Sequence, residues 1–278
     1  MTGQPPVADW LQPDWPAPPG VRALCTTRAG GVSAAPYDSM NLGDHVGDAP
    51  EAVQSNRAAL QQAVQGHAVF LRQVHGTSVV ELGSQTADGT EADACVSTQA
   101  GVACTIMVAD CLPVLLAHRS GRVVAAAHAG WRGLAGEGGH GVLEAVFERF
   151  SALAALGKAQ GAIEAEASQS VASGTLAWLG PCIGPQAFEV GAEVRAAFCD
   201  RDAGAAAHFV PQASGKFLAD LAGLARRRLA ALGITAVYGN DGSAPWCTVG
   251  NPSRFFSHRR DTVALGGSGR LAACVWIG

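Results

Sequence analysis

The chain has 278 residues, 48% of them hydrophobic and 15% charged, with a formal net charge of −4. That length and apolar content suffice for a sizeable core and exclude a disordered chain. The acidic balance leaves no basic footprint for nucleic acid, and no apolar run is long enough to span a membrane.

The first twenty residues, MTGQPPVADWLQPDWPAPPG, are rich in proline. They predict an extended surface segment ahead of a single domain over 21–278. They carry neither the basic start nor the apolar stretch of a secretory signal. A strand is expected over 21–27, then a helix over 50–64, where Pro50 suits the first helical position. Two strands over 68–74 and 77–82 place His75 in the turn between them. Further strands over 102–109, 113–118 and 122–128 follow, the last two forming a hairpin closed at Arg119–Gly121. Helical spacing appears over 141–150, 189–199 and 216–232. In the last, Leu218, Leu221, Leu224 and Leu229 fall near one face and Arg226 to Arg228 on the other. Strands over 234–238 and 270–277 end the chain. The stretch 157–175, rich in alanine, serine and glutamate, predicts a flexible insertion within the domain. Strands grouped in hairpins, with helices between the groups, argue for an α+β fold rather than a βαβ repeat.

Eight cysteines are scattered without a C-x-x-C pair, mostly in apolar strand-like runs. Such thiols are usually inert core residues. Without an export signal, a reducing cytoplasm and free thiols are expected.

Cys111 opens the first strand of the hairpin and His128 closes the second, so folding the hairpin brings them together. His75 stands at a third strand end. Thiolate and imidazole are ligands that zinc prefers, and three of them with a fourth position open is the pattern of a catalytic site. The same pair also suits a nucleophilic cysteine with a histidine base, and the spacing leaves both readings open. Asp110 is a candidate acid/base or partner of a ligating histidine. Asn41 and His45, in MNLGDHVGD, either contact a ligand or cap and turn the chain. Arg132, Arg259 and Arg260 are candidate phosphate clamps or surface ion-pair partners. The run GEGGHG (136–141) matches G-x-G-x-x-G but does not directly follow a strand, which argues against a dinucleotide site. Its entry to a helix remains a candidate anion site.

Several long motifs carry a resemblance. TTRAGGVSAAPYDSMNLGDHVGD, RQVHG, MVADCLPVLL, AAHAGWRGL, LGPCIGPQAFEVGAEV and RFFSHRRD occur in that order from about residue 21 onward, and together they resemble the YfiH family. That family was first named for a multicopper polyphenol oxidase, or laccase, activity. It is now described as a purine nucleoside phosphorylase with adenosine deaminase activity, and bacterial members are also called peptidoglycan editing factor. The resemblance implies a metal triad of His75, Cys111 and His128. It also implies a four-layer α/β/β/α fold, two packed mixed sheets covered by helices, related to cytotoxic necrotizing factor toxins. The chain departs from the family pattern at His258, where a tyrosine is usual, and in the extra glycines and His140 of 136–141. Both departures are placed at the pocket edge.

The function this implies is a zinc-dependent enzyme that cleaves adenosine- or inosine-type nucleosides with phosphate and also deaminates adenosine. An open zinc position acidifies a water for deamination. Phosphorolysis needs cations or backbone N–H groups around phosphate, and Arg132, Arg259 and the Gly-rich turn are the candidates. The H-x-E…P-C-x-x-C signature of ordinary zinc deaminases is absent. Three alternatives stand beside this reading. A His₂Cys set also accepts copper, as in a polyphenol oxidase, although eight histidines without an H-x-H pair cannot supply a trinuclear cluster. A metal-free cysteine hydrolase, editing peptidoglycan precursors, would use Cys111 as nucleophile and His128 as base. A metal-binding regulatory protein is the non-enzyme reading. The expected partners are small molecules, with neither nucleic acid nor membrane; the sequence does not specify an oligomeric state.

Overall fold

The computed structural model describes residues 9–156 and 171–278. A four-stranded sheet runs in the order β1 (Val21–Cys25), β13 (Leu271–Ile277), β5 (Val102–Val108), β2 (His67–Phe70). A six-stranded sheet runs β12 (Ala236–Gly239), β8 (Thr175–Leu179), β6 (Leu112–His118), β7 (Val124–Ala129), β4 (Ala94–Ser97), β3 (Val79–Glu81). Both are mixed: β2–β5, β3–β4 and β8–β12 pair in parallel and the other neighbours antiparallel. A small third sheet joins β10 (Phe209–Pro211), β11 (Phe217–Ala219) and β9 (Glu189–Val190).

The strands of the two large sheets are apolar at nearly every position because both faces of each are covered. Along β5, Val102, Cys104, Ile106 and Val108 point into the layer between the two large sheets, while Ala103 and Met107 point outward. Along β6, Leu115 and Ala117 face that same inner layer and Leu112, Val114 and Leu116 face the opposite side. Helix α1 (Pro50–Val64) lays Leu60 and Val64 over the outer face of the four-stranded sheet. Helices α3 (Val142–Ala155) and α5 (Leu221–Ala231) cover the outer face of the six-stranded sheet through Leu143, Val146, Phe150, Leu224 and Leu229. The result is the expected α+β domain, two packed mixed sheets between helices.

The structure changes several expected boundaries. The strands on either side of His75 do not form a hairpin. β2 belongs to the four-stranded sheet and β3 to the six-stranded one, so His75 lies on a crossover between layers. The expected helix over 216–232 begins only at Leu221, because Asp220 caps it by accepting from Gly223 N, and the residues before it form β11. Likewise 189–199 divides into β9 and α4 (Ala192–Cys199) at Gly191. Strands β4 and β8 and helices α2 (Trp131–Ala135) and α6 (His258–Leu265) were not expected. Helix α6 is capped reciprocally: Ser257 Oγ accepts from Arg260 N, and Asp261 accepts from Ser257 N. Part of the extended N-terminal segment and most of the expected insertion lie outside the described residues. Within them, Trp10 is buried and Leu11 pairs with Cys25, so this segment is anchored. Val171, Ala172 and Thr175 are buried as well, so the end of the expected insertion is anchored in the core. All eight cysteines are free thiols, and no helix among the described residues is long and apolar enough to cross a membrane.

Leu115 is fully buried between the sheets. Leu115→Ala is expected to cost roughly 2–5 kcal/mol of stability, measured as a lowered denaturation midpoint at unchanged slope.

Candidate functional site

The hairpin of β6 and β7 sets the site. Its register places Pro113 opposite His128 and Leu112 opposite Ala129, so Cys111, one residue before β6, emerges beside His128. Alternation puts His128 on the same face as Val124 and Ala126, the face turned to the other sheet, and Cys111 packs against that inner layer too. Both functional groups therefore stand at one end of the space between the sheets.

His75 arrives from the crossover. Its φ of 62° is in the left-handed region, a conformation that needs outside support. Gln73 gives part of it: its side-chain amide donates to Met107 O and accepts from Met107 N, both at 2.8 Å, which ties the crossover to the end of β5. Asp93, the residue before β4, gives the rest. Its fully buried carboxylate accepts from Val74 N at 3.2 Å, His75 N at 2.9 Å and Gly76 N at 2.7 Å. The same carboxylate accepts from His128 Nδ1 at 2.8 Å, and Asp93 O accepts from His128 N at 2.7 Å. Burial works against its charge, but the hydrogen bonds from His128 and from the backbone outweigh it and hold Asp93 below the usual carboxylate range. With Nδ1 committed to Asp93, His128 has Nε2 left for the pocket.

These constraints bring the ligand atoms of His75, Cys111 and His128 within 4.8 Å of one another. Cys111 Sγ lies 3.7 Å from His75 Nε2, and the imidazole centroids are 4.7 Å apart with the rings at 68°. Two glycines permit the approach. A Cβ on Gly130 would sit 2.9 Å from His75 Cδ2 and 3.0 Å from Cys111 Sγ, and one on Gly133 would sit 2.6 Å from Gly76 O. Burial pushes the Cys111 thiol up, but attraction to His128 and hydrogen bonds with both imidazoles prevail and bring it down to about 6. Burial lowers His128 in turn, yet the Cys111 thiolate and Asp93 raise it to about 9. The lowered thiol and the raised imidazole stabilise each other's charged forms, so near neutral pH the metal-free site favours a thiolate–imidazolium pair.

The three side chains line a cavity of about 290 Å³. Met107, Trp131, Ile183, Phe188 and Leu221 give it apolar walls, and His45, His258, Arg259, Arg270 and Asp110 supply its polar groups. Asp110 does not support a ligating histidine. Its Oδ1 accepts from Thr248 Oγ1 at 2.5 Å and its Oδ2 from Arg259 N at 2.6 Å, so it ties the Thr248 loop to the first turn of α6. Arg259 is on the pocket wall, donating to Glu189 O and lying over Phe188.

Other expected contacts lie elsewhere. Asn41 is fully buried and structural: its Oδ1 accepts from Gly43 N and Arg270 N, and its Nδ2 donates to Gly43 O and Asp48. Arg132 is exposed and stacks on Trp131 without lining the cavity. Arg260 is spent on Asp261 and three backbone carbonyls. In the Gly-rich turn, Glu144 accepts from Gly141 N and so occupies the start of α3, and His140 pairs with Glu148. Of the two departures placed at the pocket edge, only His258 reaches it. Asp93 was not anticipated. Its one signal is an acidic residue set directly before the apolar run ACVS.

A mixed double-sheet domain with two histidines and one cysteine converging at its end has the donors of a metal-binding site. The family described as multi-copper polyphenol oxidoreductase laccase matches residues 22–278. The chain belongs to this laccase-domain family of the YfiH type. It is 49% identical to a purine nucleoside phosphorylase of Pseudomonas aeruginosa over 96% of this chain and 98% of that protein. It is 45% identical to the purine nucleoside phosphorylase YfiH of Escherichia coli, with the same coverage. The crystal structure of Neisseria meningitidis protein NMB0706 superposes with a TM-score of 0.83 at 45% identity, covering 97% of this chain and 99% of that one.

Asp93→Asn is expected to weaken metal binding roughly 10–100-fold, read by competition against a chromophoric chelator with folding monitored by circular dichroism. In chelator-treated protein, alkylation of Cys111 is expected to rise through a midpoint near pH 6, against about 8.5 for a free cysteine. Below that midpoint the thiol is protonated and slow to react; above it the thiolate reacts.

Proposed function

We propose that the protein is a purine nucleoside phosphorylase with adenosine deaminase activity, and that His75, Cys111 and His128 hold a zinc ion. The observation that carries this reading is the convergence of the three donors in a cavity that also has apolar walls and cationic groups. The donor set fits zinc: one sulfur held as thiolate, one imidazole oriented by Asp93, and a second presented from a braced turn. When bound there, the ion supplies a Lewis acid and a means of acidifying water. The names of the Pseudomonas and Escherichia relatives support the phosphorolytic reaction.

Phosphorolysis joins a phosphate oxygen to the anomeric carbon as the bond to the purine nitrogen breaks, and the departing purine takes up a proton. Phe188 and Trp131 offer aromatic surface for the flat base. Ile183 and Leu221 add to the apolar lining, which would limit water around a bound ribosyl group and favour phosphate over hydrolysis. His45 and His258 bring ionisable nitrogens to the cavity lining, candidates for the proton the purine takes up, and Arg259 adds positive charge to the same lining.

A second reading has its own observation. Cys111, His128 and Asp93 form a chain of thiolate, imidazolium and carboxylate, the order found in cysteine hydrolases. In this reading Cys111 attacks an amide of a peptidoglycan precursor, His128 protonates the departing amine, and no metal is needed.

One series separates the readings. Protein purified without added metal is analysed for zinc and copper, then assayed with adenosine and inosine with and without phosphate, before and after chelation. Phosphate-dependent release of base that is lost on chelation and restored by zinc is the expected result. Full nucleoside activity in metal-free protein overturns the zinc assignment, no nucleoside turnover with or without zinc favours the hydrolase, and recovery with copper alone favours an oxidase-type site. Cys111→Ala and Cys111→Ser are both expected to remain folded, lose the metal and abolish nucleoside turnover, because a serine hydroxyl is a poor substitute for a thiolate ligand.

A further inference from the structure

Arg270 is unusual among the arginines around the pocket. Arg260 spends its guanidinium on Asp261 and backbone carbonyls. Arg259 donates to a carbonyl and stacks on a ring. Arg270 is partly buried in the cavity wall with Cys111, yet forms no ion pair among the described residues. Its Nη1 donates to Ser268 O at 2.9 Å and Gly269 O at 3.1 Å, while Nε and Nη2 have no hydrogen-bond partner among the described residues. Burial pushes the guanidinium below the usual arginine range, although it remains charged.

The side chain is also held in place from behind. Asn41 Oδ1 accepts from Arg270 N at 2.9 Å. The aliphatic stem lies against Gly43, where a Cβ would come within 2.7 Å of Arg270 Cγ. Asn41 and Gly43 thus fix the arginine and lead into the loop that carries His45 to the same cavity. The one carboxylate on the wall, Asp110, already has both oxygens bonded, to Thr248 and to Arg259 N. The Cys111 thiolate and Asp110 attract the guanidinium without forming an ion pair with it, and a partly buried cation so incompletely met is costly, while a planar pair of unused donors matches two oxygens of a tetrahedral anion.

We propose that Arg270 is the clamp for inorganic phosphate, its unused Nε and Nη2 gripping two phosphate oxygens beside the His75–Cys111–His128 cluster. This rests on phosphorolysis as the reaction, and it gives the buried Asn41 a positioning role through Arg270. In this assignment neither Arg132 nor the Gly-rich turn touches the anion.

Phosphate binding to zinc-loaded protein is measured by calorimetric titration for the wild type, Arg270→Gln, Arg270→Lys and the surface control Arg122→Gln. Steady-state constants for phosphate and inosine are measured alongside. Loss of charge-assisted hydrogen bonds predicts phosphate affinity weakened roughly 10–100-fold in Arg270→Gln. The KM for phosphate should rise in parallel, with that for inosine and the zinc content little changed. Arg270→Lys should fall between the wild type and Arg270→Gln, because it keeps the charge and loses the fork, and Arg122→Gln should match the wild type. The lysine variant also serves if the glutamine variant does not fold. Wild-type phosphate affinity in either folded Arg270 variant overturns the assignment, as does wild-type protein that binds no phosphate. Nucleoside turnover without phosphate dependence, in a protein that still loses phosphate binding on Arg270→Gln, overturns the phosphorylase reading and leaves the anion site standing.

Discussion

The site depends on one buried carboxylate. Asp93 accepts three consecutive backbone N–H groups from the crossover and one side-chain N–H from His128. It thereby joins two segments far apart in the chain and fixes both histidines with a single group. A buried charge is tolerated only when it is well satisfied, and four donors meet that condition. The arrangement is also selective: with Nδ1 of His128 bonded to Asp93, only Nε2 remains for the pocket. Removing the carboxylate would leave three amides unpaired as well as an imidazole free to turn.

The two large sheets explain the location. Their facing sides are sealed by aliphatic and aromatic groups, and the polar cluster occupies the end of that layer, where β5 finishes and the β6–β7 hairpin opens. The apolar surroundings strengthen the attraction between Cys111 and the imidazoles, which outweighs the cost of burying a thiolate. The absence of side chains at Gly130 and Gly133 is what lets helix α2 close over the cluster. The same thiolate–imidazolium pair suits either a metal or a nucleophile, and it is the apolar walls and the arginines of the cavity that support the proposed reading.

Much of the fold was legible because its strands are long and apolar and its turns are marked. The hairpin from Leu112 to Ala129 could be drawn from the sequence, and with it the meeting of Cys111 and His128. Short elements were hidden: β4 has four residues and β9 two, too few for a period to emerge. The break at Asp220 was masked by leucines that continue a helical spacing across it. Asp110 adjoins Cys111 in sequence yet serves Thr248 and Arg259, whereas Asp93, 35 residues from His128, supports the histidines. Chain proximity is a poor guide to hydrogen-bond partners wherever sheets bring remote strands together. Arg270 was unmarked for the same reason, since what sets it apart is the lack of a partner in three dimensions.

The spacing of the donors along the chain has a consequence for assembly. His75 and Cys111 are 36 residues apart, and His128 follows only after the hairpin has turned. No short peptide carries the set, and a growing chain exposes the two histidines before any geometry exists to unite them. Closing loops of that size is entropically costly without the sheets to hold their ends. Any selectivity for an ion would therefore belong to the assembled sheets rather than to a peptide segment, and the last strand, β13, must be in place between β1 and β5 before that architecture is complete.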